Sequence, residues 1–338
     1  MKSPTAIHEI DQSRTITSEK SLQRFRRICL ATVVTIYVLI LVGGIVRATG
    51  AGMGCPDWPT CFGRWIPPVS ESELPSNYQQ IYADRGYRDT TFNVTKTWTE
   101  YLNRLLGVFT GFMILLTLLS SWSHRRQSPT LFRYALLGFI LVGIQGWLGS
   151  RVVASNLDPV LITVHMVLAQ VIVMVLIYAA AYSAKLRLSQ DPIGGIPFKA
   201  RLLLWMIMFA SLLQLILGTQ VREAVDLIAH QSNYANRHLW IDNLPTVFAF
   251  HRWFALPVVL LNIGLVVAIF KRVGQVSVST ITAAALIFVM LATVVMGMSM
   301  QQMNLPVFAQ PLHLWFSSLI LGLQFMLYLT WKFAKQRL

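Results

Sequence analysis

Residues 246–270 read TVFAFHRWFALPVVLLNIGLVVAIF, an apolar stretch with no acidic side chain and one polar pair, His251-Arg252, near its start. As a helix rising 1.5 Å per residue, such a stretch covers the roughly 30 Å hydrocarbon core of a bilayer. The pattern recurs 148 residues earlier, where Asn103-Arg104 stands near the start of the apolar stretch 99–121. His165 and His313 form a second matched pair at the same spacing. The chain is therefore internally duplicated, and asparagine against histidine marks a difference between the copies.

Seven further conclusions about span placement follow from the same length criterion. Alongside 246–270, the segments 27–46, 99–121, 131–150, 160–184, 200–221, 278–300 and 309–332 are each long and apolar enough to cross as helices. With 55% hydrophobic and 12% charged residues among 338, the composition excludes an ordinary soluble domain. The expected fold class is an all-α integral membrane protein of eight helices in two pseudo-twofold-related four-helix bundles. Both halves start on the same side, so the repeat is parallel, with its axis along the membrane normal.

Eight spans put both termini on one side. That side holds 18 Lys/Arg and 4 Asp/Glu, against 10 and 10 on the other, so it carries the whole net charge of +14. The positive-inside rule makes it the cytoplasm, and topology explains the basic excess better than nucleic-acid binding does. The tail 1–26 lacks the apolar core of a signal peptide and contains Glu9, Asp11 and Glu19, which argues against a transit peptide. A bacterial inner membrane is the expected location. The expected organisation is this tail, an N-terminal bundle 27–184 with a long outer loop 47–98, a linker 185–199, a C-terminal bundle 200–332, and a tail 333–338. A homo-oligomer is compatible with the sequence.

Further matches support the duplication. Gly43-Gly44-Ile45-Val46-Arg47 ends the first span and Gly218-Thr219-Gln220-Val221-Arg222 the fifth, offset by 175 because the first outer loop is longer; Gly149 and Gly297 match at 148. The loop also carries Cys55-Pro56-Asp57-Trp58-Pro59-Thr60-Cys61. An oxidising outer compartment permits a Cys55–Cys61 disulfide, whether as a staple, a substrate contact or a redox element. Cys29 reads as an inert buried thiol.

Asn103, His165, His251 and His313 each lie about five residues inside a span entered from the outer side, about 7–8 Å deep. Polar groups at such depth are costly and usually functional, although a lone histidine can also serve as an inter-helix hydrogen bond. Zinc would want more Cys or carboxylate ligands, and a proton relay would want carboxylates through the membrane. Haem needs axial imidazoles and an apolar slot. Its propionates need cations near the interface, where Arg47, Arg104, Arg151, Arg222 and Arg252 cluster and offer bidentate forks. The C-terminal half, with His251 and His313, is expected to hold a haem with both axial positions filled, suited to electron transfer. The N-terminal half, with His165 and Asn103, has an incomplete ligand set. It adds Glu100, one turn before Asn103, where the second half has Phe248. Glu100 can also pair with Arg104 at i, i+4. This asymmetry points to chemistry in the first half and electron storage in the second.

Taken together, Gly43 to Arg47, the Cys55–Cys61 loop, Glu100-Tyr101-Leu102-Asn103-Arg104, His165, His251-Arg252 and His313 resemble the haem A synthase family across nearly the whole chain. The resemblance implies oxidation of a ring methyl of haem O to the formyl group of haem A. It implies haem b on His251 and His313, with Arg222 and Arg252 nearby, and haem O in the N-terminal half beside His165, Asn103, Arg104 and Arg47. It also implies a catalytic Glu100. The family pattern has histidine where Asn103 stands, which leaves His165 to ligate the substrate iron unless another residue or water joins it. Implied partners are a haem O synthase upstream, an electron donor or acceptor, and terminal oxidase assembly downstream. Competing classes are a quinol-linked di-haem b electron carrier, which predicts two similar bis-imidazole sites, and a haem carrier without chemistry.

Overall fold

The computed structural model describes residues 4–195, 198–232 and 235–335. The side chains of 1–18 and residues 196–197 and 336–338, which carry part of the basic side, lie outside the described residues. Eight long helices dominate: α1 (Pro4–Ala48), α2 (Val94–Ser121), α3 (Pro129–Ala154), α4 (Pro159–Ser183), α5 (Phe198–Gln231), α6 (Thr246–Val273), α7 (Val278–Gln302) and α8 (Ala309–Phe333). Each contains a stretch long and apolar enough to cross a membrane. Lipid offers backbone groups no partners, so long apolar segments become helices that bond internally. The chain is a multi-pass membrane protein.

Local chemistry sets several ends. Asn93 accepts the Lys96 amide to cap α2, and Asp158 caps α4 with Pro159 in its first turn. Ser277 and Thr280 form a capping box on α7, and Gly274, at φ 63°, ends α6 in the left-handed conformation.

Two helices differ from the sequence expectation in length. The α1 helix starts at Pro4, so the polar tail is helical rather than separate from the first span. The α5 helix reaches Gln231, ten residues past 221, because Val225 and Ala229 bury against Trp240 and Leu305 beyond the span.

The helices pack as two rings. In one, α1 meets α2, α2 meets α3, α3 meets α4, and α4 returns to α1; in the other, α5 to α8 repeat this order. The rings meet through α1, α4, α5 and α8. Residues at matched positions touch across this seam. Gln170 donates to Ser318, 148 residues on, and Arg222 donates to the carbonyl of Arg47, 175 residues away.

Each ring has its own apolar core, with Phe25, Ile114, Leu131, Ile172 and Leu176 in the first and Leu204, Ile207, Ile269 and Leu286 in the second. These residues sit toward the terminus side and leave the opposite end of each ring to the polar residues. That loop face is covered over the first ring by residues 49–93. Their small core is centred on Phe62, edge-on to Tyr82, Tyr87 and Phe92 at 5.2–5.5 Å. Buried Tyr87 donates to the Met53 carbonyl, and burial holds its hydroxyl protonated by raising its pKa.

Candidate functional site

Asn103, His165, His251 and His313 project from α2, α4, α6 and α8. Each faces a glycine on the preceding helix. A Cβ built on Gly43 would lie 3.9 Å from Asn103 Oδ1; on Gly149, 3.4 Å from His165 Cε1; on Gly218, 3.4 Å from His251 Cε1; and on Gly297, 3.2 Å from His313 Cε1. At Gly297 the His313 ring takes volume that a side chain would fill, while at the other three glycines a methyl would only come into van der Waals contact. Two of these glycines, Gly43 and Gly218, begin the repeated Gly-to-Arg motifs, so each motif places the glycine that faces Asn103 or His251 about one helical turn from a cation.

Neighbouring amides and carbonyls fix the histidines. Gln145 donates to the His165 carbonyl at 3.0 Å, and Gln214 does the same to His251 at 2.9 Å. His313 Nδ1 lies 2.9 Å from the Thr293 carbonyl. A carbonyl only accepts, so Nδ1 carries the proton and Nε2 keeps its lone pair for a metal. Sequence reasoning missed Gln145, Gln214 and Thr293. The signal was available, since Gln145 and Thr293 occupy matched positions 148 apart.

The His251 and His313 rings have centroids 6.3 Å apart at 68°. An imidazole bound through nitrogen at about 2 Å has its centre roughly 3 Å from the metal. Two imidazoles on opposite faces of one haem iron therefore stand roughly 6 Å apart. This spacing, the glycine cradles and the unpartnered buried Nδ1 of His251 fit a bis-imidazole haem. Among the described residues no cluster of three His, Cys, Asp or Glu could hold a bare metal ion.

The first ring is built differently. His165 Nδ1 and Asn103 Oδ1 are buried without a partner among the described residues. Glu100 is buried, accepts from Arg104 Nε at 3.0 Å, and is also hydrogen-bonded by the Asn103 side chain. The remaining Arg104 donors reach the outer loop: Nη1 to the carbonyls of Asp57 (2.6 Å) and Thr60 (3.0 Å), and Nη2 to that of Cys55 (2.8 Å). Cys55 and Cys61 are disulfide-bonded, which closes the ring that presents these carbonyls.

Only some of the arginines expected to face haem carboxylates are disposed to do so. Arg104 is committed to the loop and Glu100, because its fork finds four acceptor contacts there. Arg252, its match, lies over Phe248 and Trp253 at 5.9 and 5.3 Å. Arg47 and Arg222 converge on Asp226 at 3.0 and 2.6 Å, and Arg222 also donates to Gln310. Arg151 lines an outer cleft with Asp57, Trp58 and Arg85. Asp226 escaped sequence reasoning because it lies past the expected end of its span and its matched position is Ala51.

Residues 26–325 match the family COX15-CtaA, described as cytochrome oxidase assembly protein. The chain belongs to this family. Curated relatives carry one name. A protein of Brucella anthropi named heme A synthase is 26% identical over 95% of this chain and 96% of its own length. One of Beijerinckia indica with the same name is 28% identical over 86% of this chain and 88% of its own. A third, of Bartonella bacilliformis, is 30% identical over 53% of this chain and 55% of its own length. In this COX15-CtaA member the two rings thus present unlike sites. The second has a facing imidazole pair; the first has one imidazole, an amide and a buried carboxylate tied to a disulfide loop.

Proposed function

We propose that the chain is a haem A synthase of a bacterial inner membrane, with both termini cytoplasmic and its two rings related by a pseudo-twofold axis. The second ring holds haem b through His251 and His313, with Arg222 and Arg252 near its carboxylates. When bound, that group supplies one-electron transfer. With His251 and His313 both engaged in holding it, the group would be suited to passing electrons rather than to binding other ligands.

The first ring takes haem O as substrate, on His165. In two rounds the ring methyl becomes an alcohol and then a gem-diol, which loses water to the aldehyde of haem A. Each round adds one oxygen atom, either from water with two electrons and two protons passing to an acceptor, or from O2 with two electrons and two protons supplied by a donor and the second oxygen leaving as water. Glu100 receives or positions the proton at its carboxylate, as a general base must within hydrogen-bond reach. Asn103 and Arg104 lie beside that carboxylate, while the glycine opposite His165 leaves room for its ring between α3 and α4. The outer loop closes the mouth and limits water. Upstream, a haem O synthase supplies substrate; downstream, the product serves terminal oxidase assembly. An electron partner completes the cycle.

The observation carrying this reading is the asymmetry within a duplicated frame: an imidazole pair 6.3 Å apart in one ring, and a buried carboxylate with a single histidine in the other. A di-haem electron carrier would need two equivalent sites. Expression in a host that makes haem O but not haem A, followed by pigment extraction and mass analysis, tests it. Formylated haem is the expected product; bound haem without it sinks the proposal. Glu100→Gln should lower haem A formation by roughly 10²- to 10⁴-fold while leaving the haem b spectrum intact.

A further inference from the structure

The mechanism above uses Glu100 but leaves open what holds its carboxylate in place. On the sequence, Arg104 reads as a cation for a substrate carboxylate. The structure gives it another role.

Arg104 is mostly shielded, with 12% of its side chain exposed, and its guanidinium is pinned on two sides. Toward the loop face, Nη1 and Nη2 donate to the carbonyls of Cys55, Asp57 and Thr60. Toward the helix, Nε donates to Glu100 Oε1. A guanidinium is planar, so three loop carbonyls fix its plane and with it the direction of the Nε–H bond. An arginine without such acceptors at this depth turns toward water and takes its fork with it. Arg252, the matched residue, behaves differently: it rests on Phe248 and Trp253, among the described residues no loop carbonyl accepts from it, and Phe248 stands where Glu100 does in the first half.

The carbonyl cup is itself braced. The Cys55–Cys61 disulfide closes it. Inside the ring, the Asp57 carboxylate accepts the amides of Phe62 (2.6 Å) and Gly63 (2.8 Å) and the Thr60 hydroxyl. Phe62 (φ 54°) and Gly63 (φ 73°) are both left-handed, which turns their consecutive amides toward that anion. Phe62 pays for this backbone strain by anchoring the aromatic core. The cup is also tied to α2, where Thr97 Oγ1 donates to the Gly54 carbonyl at 2.9 Å. Among the described residues, the carboxylate, the arginine clamp and the braced disulfide loop occur together in the first helix ring only.

We infer that Arg104 is a positioning residue that transmits the shape of the Cys55–Cys61 ring to Glu100, rather than a binding group for the substrate's carboxylates. This rests on Glu100 being the catalytic carboxylate.

The test uses the full-length protein in nanodiscs with haem b in place. Arg104→Lys keeps the charge but loses the planar fork, and the paired Cys55→Ser and Cys61→Ser changes open the ring without touching Arg104. Single-turnover formation of haem A from bound haem O should fall roughly 10- to 100-fold in both, the cost of misplacing a reacting group by about 1 Å. The haem O dissociation constant, read by difference spectroscopy, should stay within about twofold of wild type. Independently of turnover, the infrared carboxylate band that disappears in Glu100→Gln should shift in both variants. A wild-type rate in either one overturns the inference. So does weaker haem O binding at an unchanged rate, which would return Arg104 to the substrate. If either variant loses its haem b spectrum, Asp57→Asn replaces it, and there too a wild-type rate overturns the inference. Glu100→Gln, run in parallel, separates the two claims: full activity in that variant removes the catalytic assignment itself.

Discussion

Replacing Gly297 with alanine places a methyl carbon 3.2 Å from Cε1 and 3.5 Å from Nδ1 of His313. Carbon pairs rest at about 3.5–4.0 Å, so the ring must move by a few tenths of an ångström. It cannot move freely, because Nδ1 donates to the Thr293 carbonyl at 2.9 Å on the same helix as the new methyl. Overpacking a filled site costs about 1–3 kcal/mol, and loosening that hydrogen bond about 1 kcal/mol more. A total of about 2–4 kcal/mol corresponds to roughly 30- to 900-fold weaker haem b binding. The low end of that range overlaps the roughly 10- to 100-fold cost typical of losing a group that orients a metal ligand. Helix propensity runs the other way, favouring alanine over glycine by about 1 kcal/mol, which offsets part of the same strain in the apoprotein, so melting should fall by less than the haem affinity does. The assay is haem b per chain by haemochrome, with the low-spin signature by electron paramagnetic resonance and apoprotein melting alongside. Gly264→Ala on α6, where a Cβ meets nothing within 4 Å, is the control. Gly149→Ala, facing His165, should leave the haem b spectrum unchanged. Full haem b content and an unaltered low-spin spectrum in Gly297→Ala would refute the cradle argument.

Three further outcomes follow from the same geometry. Asn103→His adds the missing fourth imidazole opposite Gly43, so protein loaded with haem O should show about two low-spin haems per chain instead of about one; no gain in that signal counts against Asn103 lying at an axial position. Asp226→Asn removes the carboxylate shared by Arg47 and Arg222. It should change stability by under about 1 kcal/mol, since the group is 41% exposed, and raise the haem b potential in a redox titration; a fall would mean that these arginines do not act on that site. Gln324→Leu takes the donor from Asn262 and Ser211 and should destabilise by about 1–3 kcal/mol in thermal unfolding. Changing Asn262 and Ser211 to isoleucine as well should recover most of that loss, because their matched positions are Ile36, Ile114 and Leu176, all buried in the first core; no recovery would point to a role beyond helix association.

That last comparison shows what a duplicated sequence reveals and what it hides. The repeat makes each departure visible, whether Gln324 against Leu176 or Glu100 against Phe248. The partners of a departing residue are not visible, because Gln324 reaches Ser211 across 113 residues. Boundaries were legible where lipid sets them and misjudged where packing outside it does. The α5 helix continues through a polar stretch because Val225 and Ala229 find Trp240 and Leu305.

The sequence by itself determined the eight spans, and it puts Asn103, His165, His251 and His313 at matched positions near the starts of alternate spans. Each follows from a local rule: a chain in hydrocarbon must close its hydrogen bonds within the helix, and helical rise converts position into depth. Only the tertiary structure decided that the His251 and His313 rings face each other at 6.3 Å, that Asp226 joins Arg47 to Arg222, and that Arg104 serves the outer loop and Glu100. The imidazole pair depends on how α6 and α8 pack, and the two arginine cases share one physical reason. A long, jointed cation bonds whichever acceptors the fold brings within reach, and here those are loop carbonyls more than forty residues away in the chain.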